Sequence, residues 1–214
     1  MSNIAVYIIN QLKKHNRDCA IEYANYKYSD NEFINLILNI GQHLLINGVK
    51  TSDVVAIELL SPIDALAGSL AIGLIGATSV LHPPSAPKEK IKNWAKRVNT
   101  KWILHDQESF KLEEDDYTYI PITDLRINVN ITTESIAIKN PNSPWLIATG
   151  SGSTGDPKLM PISHLQQIER CKISKSWAPY NNNEVFASLV GCHFYMGISR
   201  HLECLTIGAK SQLN

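Results

Sequence analysis

Residues 147 to 158 read I-A-T-G-S-G-S-T-G-D-P-K, three glycines and four hydroxyl side chains between apolar Ile147 and basic Lys158. Trp145 to Thr149 is a short apolar strand that delivers the chain into this loop, and Lys158 to Ile162 leaves it in extended form. Gly150 to Gly155 satisfies G-x-G-x-x-G, but a dinucleotide loop must open directly into a helix whose amides hold the pyrophosphate. Asp156-Pro157 follows the last glycine and Pro161 comes soon after, where it would remove a hydrogen bond from a helix. A Walker A loop needs lysine immediately after its second glycine, and Asp156 occupies that position. What remains is a Ser/Thr/Gly loop between two extended segments. Its glycines let amides turn toward anionic oxygens, Ser151, Ser153 and Thr154 add donors, and Lys158 adds positive charge, a combination suited to polyphosphate. Composition alone would equally allow a plain Ser/Gly hairpin turn. The order of residues within the loop decides between them.

Outward from the loop, hydrophobic periodicity predicts alternating elements. Ile4, Ile8, Ile9 and Leu12 have helical spacing, and short β-prone segments follow at Cys19 to Tyr23 and Tyr26 to Tyr28. Ser29 with Glu32 forms a capping-box pattern ahead of a long helix that Gly48 terminates. Strands are expected at Val54 to Leu59, Thr78 to His82, Trp102 to His105 and Tyr117 to Ile120. Helices are expected at Pro62 to Ile75 and Lys88 to Val98. Asp106 to Asp116 reads as a solvated acidic loop and Ile122 to Asn142 as an Asn/Thr-rich connector. Beyond the loop, a helix carries Leu165, Ile168 and Cys171, Val185 to Val190 makes a strand, and Tyr195 to Ile207 a last helix. This alternation predicts an α/β fold, a largely parallel β-sheet flanked by helices.

With 44% hydrophobic residues in 214, the chain can bury a sizeable core. Twenty basic residues balance twenty acidic ones, so no field draws in nucleic acid or an anionic membrane. Cys19, Cys171, Cys192 and Cys204 form no C-x-x-C pair, which favours reduced thiols and a cytoplasmic protein. No spacing of histidines and acids suggests a transition-metal site, and no G-x-S-x-G elbow offers serine hydrolase chemistry. Ala65 to Leu81 is rich in small residues and reads as a buried helix running into a buried strand, not a membrane span.

S-G-S-T-G-D-P-K followed by Ser163-His164 resembles the signature loop of the AMP-binding superfamily of acyl-CoA synthetases, luciferases and nonribosomal-peptide adenylation domains. Tyr28-Ser29 before a long helix, and Leu70 to Pro84, are similar to two earlier elements of that family, so the resemblance runs from about Ile21 to Gly208. One position departs: Gly150 stands where the family usually has Thr or Ser, which removes a hydroxyl contact.

The resemblance implies a role for Thr149, Gly150, Ser151, Gly152, Ser153, Thr154, Gly155 and Lys158 in holding ATP phosphates with Mg²⁺. Leu189 to Gly197 is similar to a segment bordering the acyl pocket, which nominates His193 and Gly197; His193 is equally readable as a structural histidine. His164 reads as a helix-entry residue and Asp156 as a turn former. The implied reaction is attack of a carboxylate on the α-phosphorus of ATP, followed by transfer to CoA or a phosphopantetheinyl carrier protein. Family members carry the adenine-, ribose- and Mg²⁺-binding elements, and a C-terminal lobe with the catalytic lysine, downstream of the stretch resembled. Residues 1–214 are therefore expected to form an incomplete N-terminal adenylation domain with the C-terminal lobe absent and catalytic residues unassigned. Such a chain should leave a sheet edge or an apolar face uncovered where it ends, over Ile207 to Asn214, and be insufficient alone. The alternative is a noncatalytic nucleotide-binding or interaction module that pairs with a partner chain.

Overall fold

The strand–helix alternation from Val54 onward builds a six-stranded sheet in the order β6-β5-β3-β4-β7-β8. A computed structural model describes residues 3–82, 87–106, 117–122, 140–150, 158–177 and 181–214. The strands are β3 (Val54–Glu58), β4 (Thr78–Leu81), β5 (Trp102–His105), β6 (Thr118–Pro121), β7 (Pro144–Gly150) and β8 (Lys158–Ser163). All neighbours pair in parallel except β7 and β8, which are antiparallel. Pro161 is tolerated in β8 because that strand is an edge, where a missing amide donor costs little. The fold class expected from the sequence is the one observed.

The Val55, Ile57, Leu81 and Leu104 face of this sheet lies in the main core with three helices. They are α1 (Ile4–His15), α2 (Asp30–Ile46) and α3 (Pro62–Leu74). α3 is apolar all round and buried at nearly every position, because α1 and α2 cover the sides the sheet leaves open. α2 starts at the capping box read from the sequence: Glu32 N–H donates to Ser29 Oγ at 3.1 Å and Ser29 N–H donates to Glu32 at 2.7 Å. It ends at Gly48, whose φ of +95° suits the left-handed stop that only glycine adopts cheaply. α4 (Lys88–Arg97) places Ile91 against Ala56 and Ile103 in a smaller core on the opposite face.

A second sheet was not anticipated. Its order is β2-β1-β10-β9, built from β1 (Ile21–Tyr23), β2 (Tyr26–Tyr28), β9 (Val185–Ala187) and β10 (Lys210–Gln212). β1 and β2 form a hairpin through Ala24 and Asn25, both with positive φ, the twist a two-residue turn needs. β10 pairs in parallel with β1 on one side and β9 on the other. The strand after Gly208 is thus central, and the exposed edges of this sheet are β2 and β9. The strand expected over Val185 to Val190 ends at Ala187, because Ser188 Oγ accepts from Val190 N–H at 3.1 Å and draws the chain into a bend. Helices α5 (His164–Trp177) and α6 (Tyr195–Ile207) pack on each other and on α1, joining the two sheets.

Buried Asp30 joins distant parts of the chain. Arg17 donates to its carboxylate at 2.8 and 3.1 Å, and another nitrogen of the same guanidinium donates to Ala209 O at 2.5 Å.

Candidate functional site

β7 and β8 run antiparallel and Gly150 opposes Lys158, so the glycine loop is the connection of a hairpin at the carboxyl edge of the parallel strands. That edge is where open α/β sheets present ligands. Residues 151–157, and with them Ser151, Gly152, Ser153, Thr154, Gly155 and Asp156, lie outside the described residues. Thr149 and Gly150 are half-buried at the end of β7, and Lys158 is exposed at the start of β8. Among the described residues Lys158 has no hydrogen-bond or ion-pair partner.

His193 reaches the same edge. Its Nε2 lies 2.7 Å from Leu59 O and donates to it, tying the segment before α6 to the end of β3. The turn after β3 is also gripped by Asp106, whose Oδ2 accepts from Leu60 N–H at 2.6 Å and Ser61 N–H at 3.4 Å. Read from sequence, Asp106 was the start of a solvated loop; only strand pairing brings it beneath residues 60 and 61. Gly197 is buried in the first turn of α6, and a Cβ there would collide with the carbonyl oxygens of Gly191 and Val190. Its lack of a side chain lets the 188–194 segment fold back over α6. His193 and Gly197 are therefore neighbours in the same corner, each with a definite packing role.

His164 is buried and its Nδ1 accepts from Ile4 N–H at 3.2 Å, an arrangement that requires a neutral ring; burial lowers its pKa to about 4. Its reading as a structural residue at helix entry holds.

A cleft of about 560 Å³ between β8, α5 and α6 is lined by Ile162, Gln166, Arg170, Ile173, Tyr195 and Glu203 among others. Glu203 is buried and accepts from Arg170 and Arg200, each at 2.8 Å, and from Ser199 Oγ at 3.1 Å. Tyr195 OH donates to Gln167 at 3.0 Å, and the Arg170 guanidinium lies 5.8 Å from the Tyr195 ring centroid. Ser199, Arg200 and Glu203 share α6, but Arg170 reaches Glu203 from α5, 33 residues away, so no local pattern announces the joined network. Among the described residues no group of three His, Cys, Asp or Glu side chains could hold a metal ion, and no helix is long and apolar enough to cross a membrane.

A largely parallel sheet flanked by helices, with β8 turned back antiparallel to β7 at one edge, defines the class, the fold of the N-terminal part of adenylate-forming enzymes. Residues 9–213 match the AMP-binding enzyme family, and the chain belongs to it. It is 27% identical over 183 residues to the nonribosomal peptide synthetase GRA1 of Gibberella zeae, covering 85% of this chain and 2% of that protein. The N-terminal subdomain of Klebsiella oxytoca NpsA, solved with 3-hydroxybenzoyl-AMSN, superposes with a TM-score of 0.85 at 18% identity, covering 100% of this chain and 54% of that one. O-succinylbenzoate coenzyme A synthetase (MenE) from Bacillus subtilis, solved with ATP and magnesium ion, gives 0.82 at 15% identity over 97% of this chain and 56% of that one. The chain thus spans about half the length of these solved relatives and a small fraction of the peptide synthetase.

Proposed function

We propose that this chain is the ATP-phosphate-holding part of an enzyme that activates a carboxylic acid as its acyl-adenylate. The observation that carries the reading is the β7–β8 hairpin at the carboxyl edge, closed by an exposed lysine with no described protein partner. In this reading residues 149–155 and Lys158 cradle the β- and γ-phosphates. ATP and its Mg²⁺ enter as substrate, and the metal neutralises phosphate charge as pyrophosphate leaves. The chain's own contribution is electrostatic: amides, hydroxyls and the Lys158 ammonium hold negative charge while the acid's carboxylate attacks the α-phosphorus. His193 and Gly197 border the acyl side in this assignment, and the product acyl group passes to CoA or a carrier-protein thiol. Residues 1–214 act as an incomplete N-terminal adenylation domain that binds ATP weakly and needs the remaining elements for turnover.

Calorimetric ATP binding and ATP–pyrophosphate exchange test this. Weak, loop-dependent ATP binding with negligible exchange is expected of the isolated chain. Robust acid-dependent exchange would overturn the claim of insufficiency, and absence of any ATP binding would count against the nucleotide reading.

A second reading, a noncatalytic module that docks on a partner chain, is favoured by one feature. Met160, Ile173, Val185, Leu189, Phe194 and Met196 are all exposed around the cleft and the open β9 edge. The two readings separate on whether adding a partner restores exchange or only forms a complex.

A further inference from the structure

On the α4 face of the six-stranded sheet, polar side chains stand side by side one residue from the strand ends. Glu58 is in register with His105 on β5, and Ile57 with Leu81, so Glu58 lies beside His82. Extending the β4–β7 register from Val80 and Ile147 by two residues brings His82 level with Thr149, just before the phosphate loop. Glu58 and His82 are buried, with side-chain exposures of 3% and 0%, and Glu58 Oε1 lies 3.9 Å from His82 Nε2. Among the described residues, neither nitrogen of His82 nor Glu58 Oε1 has a hydrogen-bond partner. The His82 ring is stacked on Trp94 of α4 at 4.7 Å, which fixes its plane against solvent.

Two adjacent buried groups with unused hydrogen-bonding capacity are expensive apart and complementary together. A net charge on either alone would go unsolvated. Acid plus neutral imidazole, and carboxylate plus imidazolium, contain the same number of protons and are both neutral overall. We propose that Glu58 and His82 are held as a neutral pair that carries a single proton, and that losing it at alkaline pH loosens the carboxyl edge where β7 leads into the glycine loop.

Just after β5, Asp106 is near enough to add negative charge at Glu58, while the rings of His105 and Tyr119 on β6 meet at 85°. From α3, Asp64 couples to Asp106 and is itself raised by burial. From α4 the buried contacts are Trp94 and Ile91, while Lys92 pairs with Glu89 at 3.9 Å. Burial, reinforced by Asp106, pushes the Glu58 carboxyl up to about 8, and burial takes His82 down to about 3.

The sign follows. In the unfolded chain both groups titrate normally, at 4.5 and 6.5, so above pH 6.5 it holds no proton at these two sites while the folded pair keeps one to about 8. Stability therefore falls as pH rises through that window, by about 10-fold in the folding equilibrium constant between its two ends. Other buried groups are silent there: His164 and His201 are lowered to about 4 and act only below 6.5, and the buried thiols, raised to about 12, act above 9.

Denaturant unfolding of the chain from about pH 5 to about pH 9 reads this directly. Wild type should lose about 10-fold between pH 6.5 and 8, and Glu58→Gln, which has no proton to lose, should be nearly flat there. Equal slopes in both overturn the proposal. Should Glu58→Gln not fold, ¹⁵N NMR of His82 in wild type decides: no titration near pH 6.5 supports the pair, and an ordinary imidazole titration there overturns it. Coupling to the phosphate loop, which rests on the nucleotide reading, predicts that ATP affinity falls above pH 8 in wild type and not in Glu58→Gln. Parallel pH profiles in the two proteins would sever the coupling. A chain that binds no ATP at any pH sinks the nucleotide reading, and the unfolding slope still judges the pair.

Discussion

Lys158 carries the only charge at the hairpin among its described residues, where its ammonium has no partner, so in the proposed reading its removal should act on ligand binding and not on folding. Lys158→Ala is expected to weaken ATP binding by about 10-fold, on the scale of one charge-assisted hydrogen bond, with an unchanged unfolding midpoint. Calorimetry paired with a denaturant titration checks both halves. His193 behaves oppositely. Its Nε2 donates to Leu59 O at 2.7 Å, so His193→Ala should destabilise the chain by about 1 kcal/mol whether or not the residue also borders a substrate. Gly197→Ala should cost about 1–3 kcal/mol, because its Cβ would press on the backbone carbonyls of residues 190 and 191. A Gly197→Ala chain as stable as wild type would contradict the packing described. These residues differ in how readable they were. The lysine is marked by its place in an ordered motif, whereas the partner of His193 lies 134 residues away and no local pattern names it.

Elements whose ends are set by neighbouring residues were the most legible. Helix α2 begins at Ser29 and stops at Gly48 because a hydroxyl, a carboxylate and a left-handed glycine act over one turn each. Ser29→Ala should lower stability by about 1 kcal/mol, the usual worth of an N-cap, measurable as a shift in unfolding midpoint without a change in its denaturant slope. Asp30, one residue on, is by position a first-turn acid of the helix. Tertiary structure makes it the buried anchor of Arg17, so Asp30→Ala should cost more, about 3 kcal/mol, by leaving that guanidinium unpaired. If the two substitutions proved equal, the Arg17 link would carry no weight. Strand β9 shows the converse: its apolar run suggested six residues, but one hydroxyl–amide bond at Ser188 ended it after three.

Across the whole molecule, the closure of the second sheet joins the N-terminal hairpin to β10 and so makes the fold depend on contacts nearly 190 residues apart. Native-state alkylation probes that closure: Cys171, Cys192 and Cys204 are buried, with thiols pushed up to about 12, while Cys19 is partly accessible. Cys19 alone should react in the folded chain, and rapid modification of Cys204 would mean that α6 and β10 are not seated as described. The sequence by itself determined the α/β class, the order of most elements and the kinship with the AMP-binding family, since period, caps and an ordered glycine motif are local properties of the chain. Tertiary structure alone decided that there are two sheets, that β10 is internal, that Asp106 and His193 grip the same turn, and that Glu58 and His82 meet out of solvent. Those outcomes depend on which strands become neighbours, a matter of pairing and burial over long separations that no short window of residues encodes.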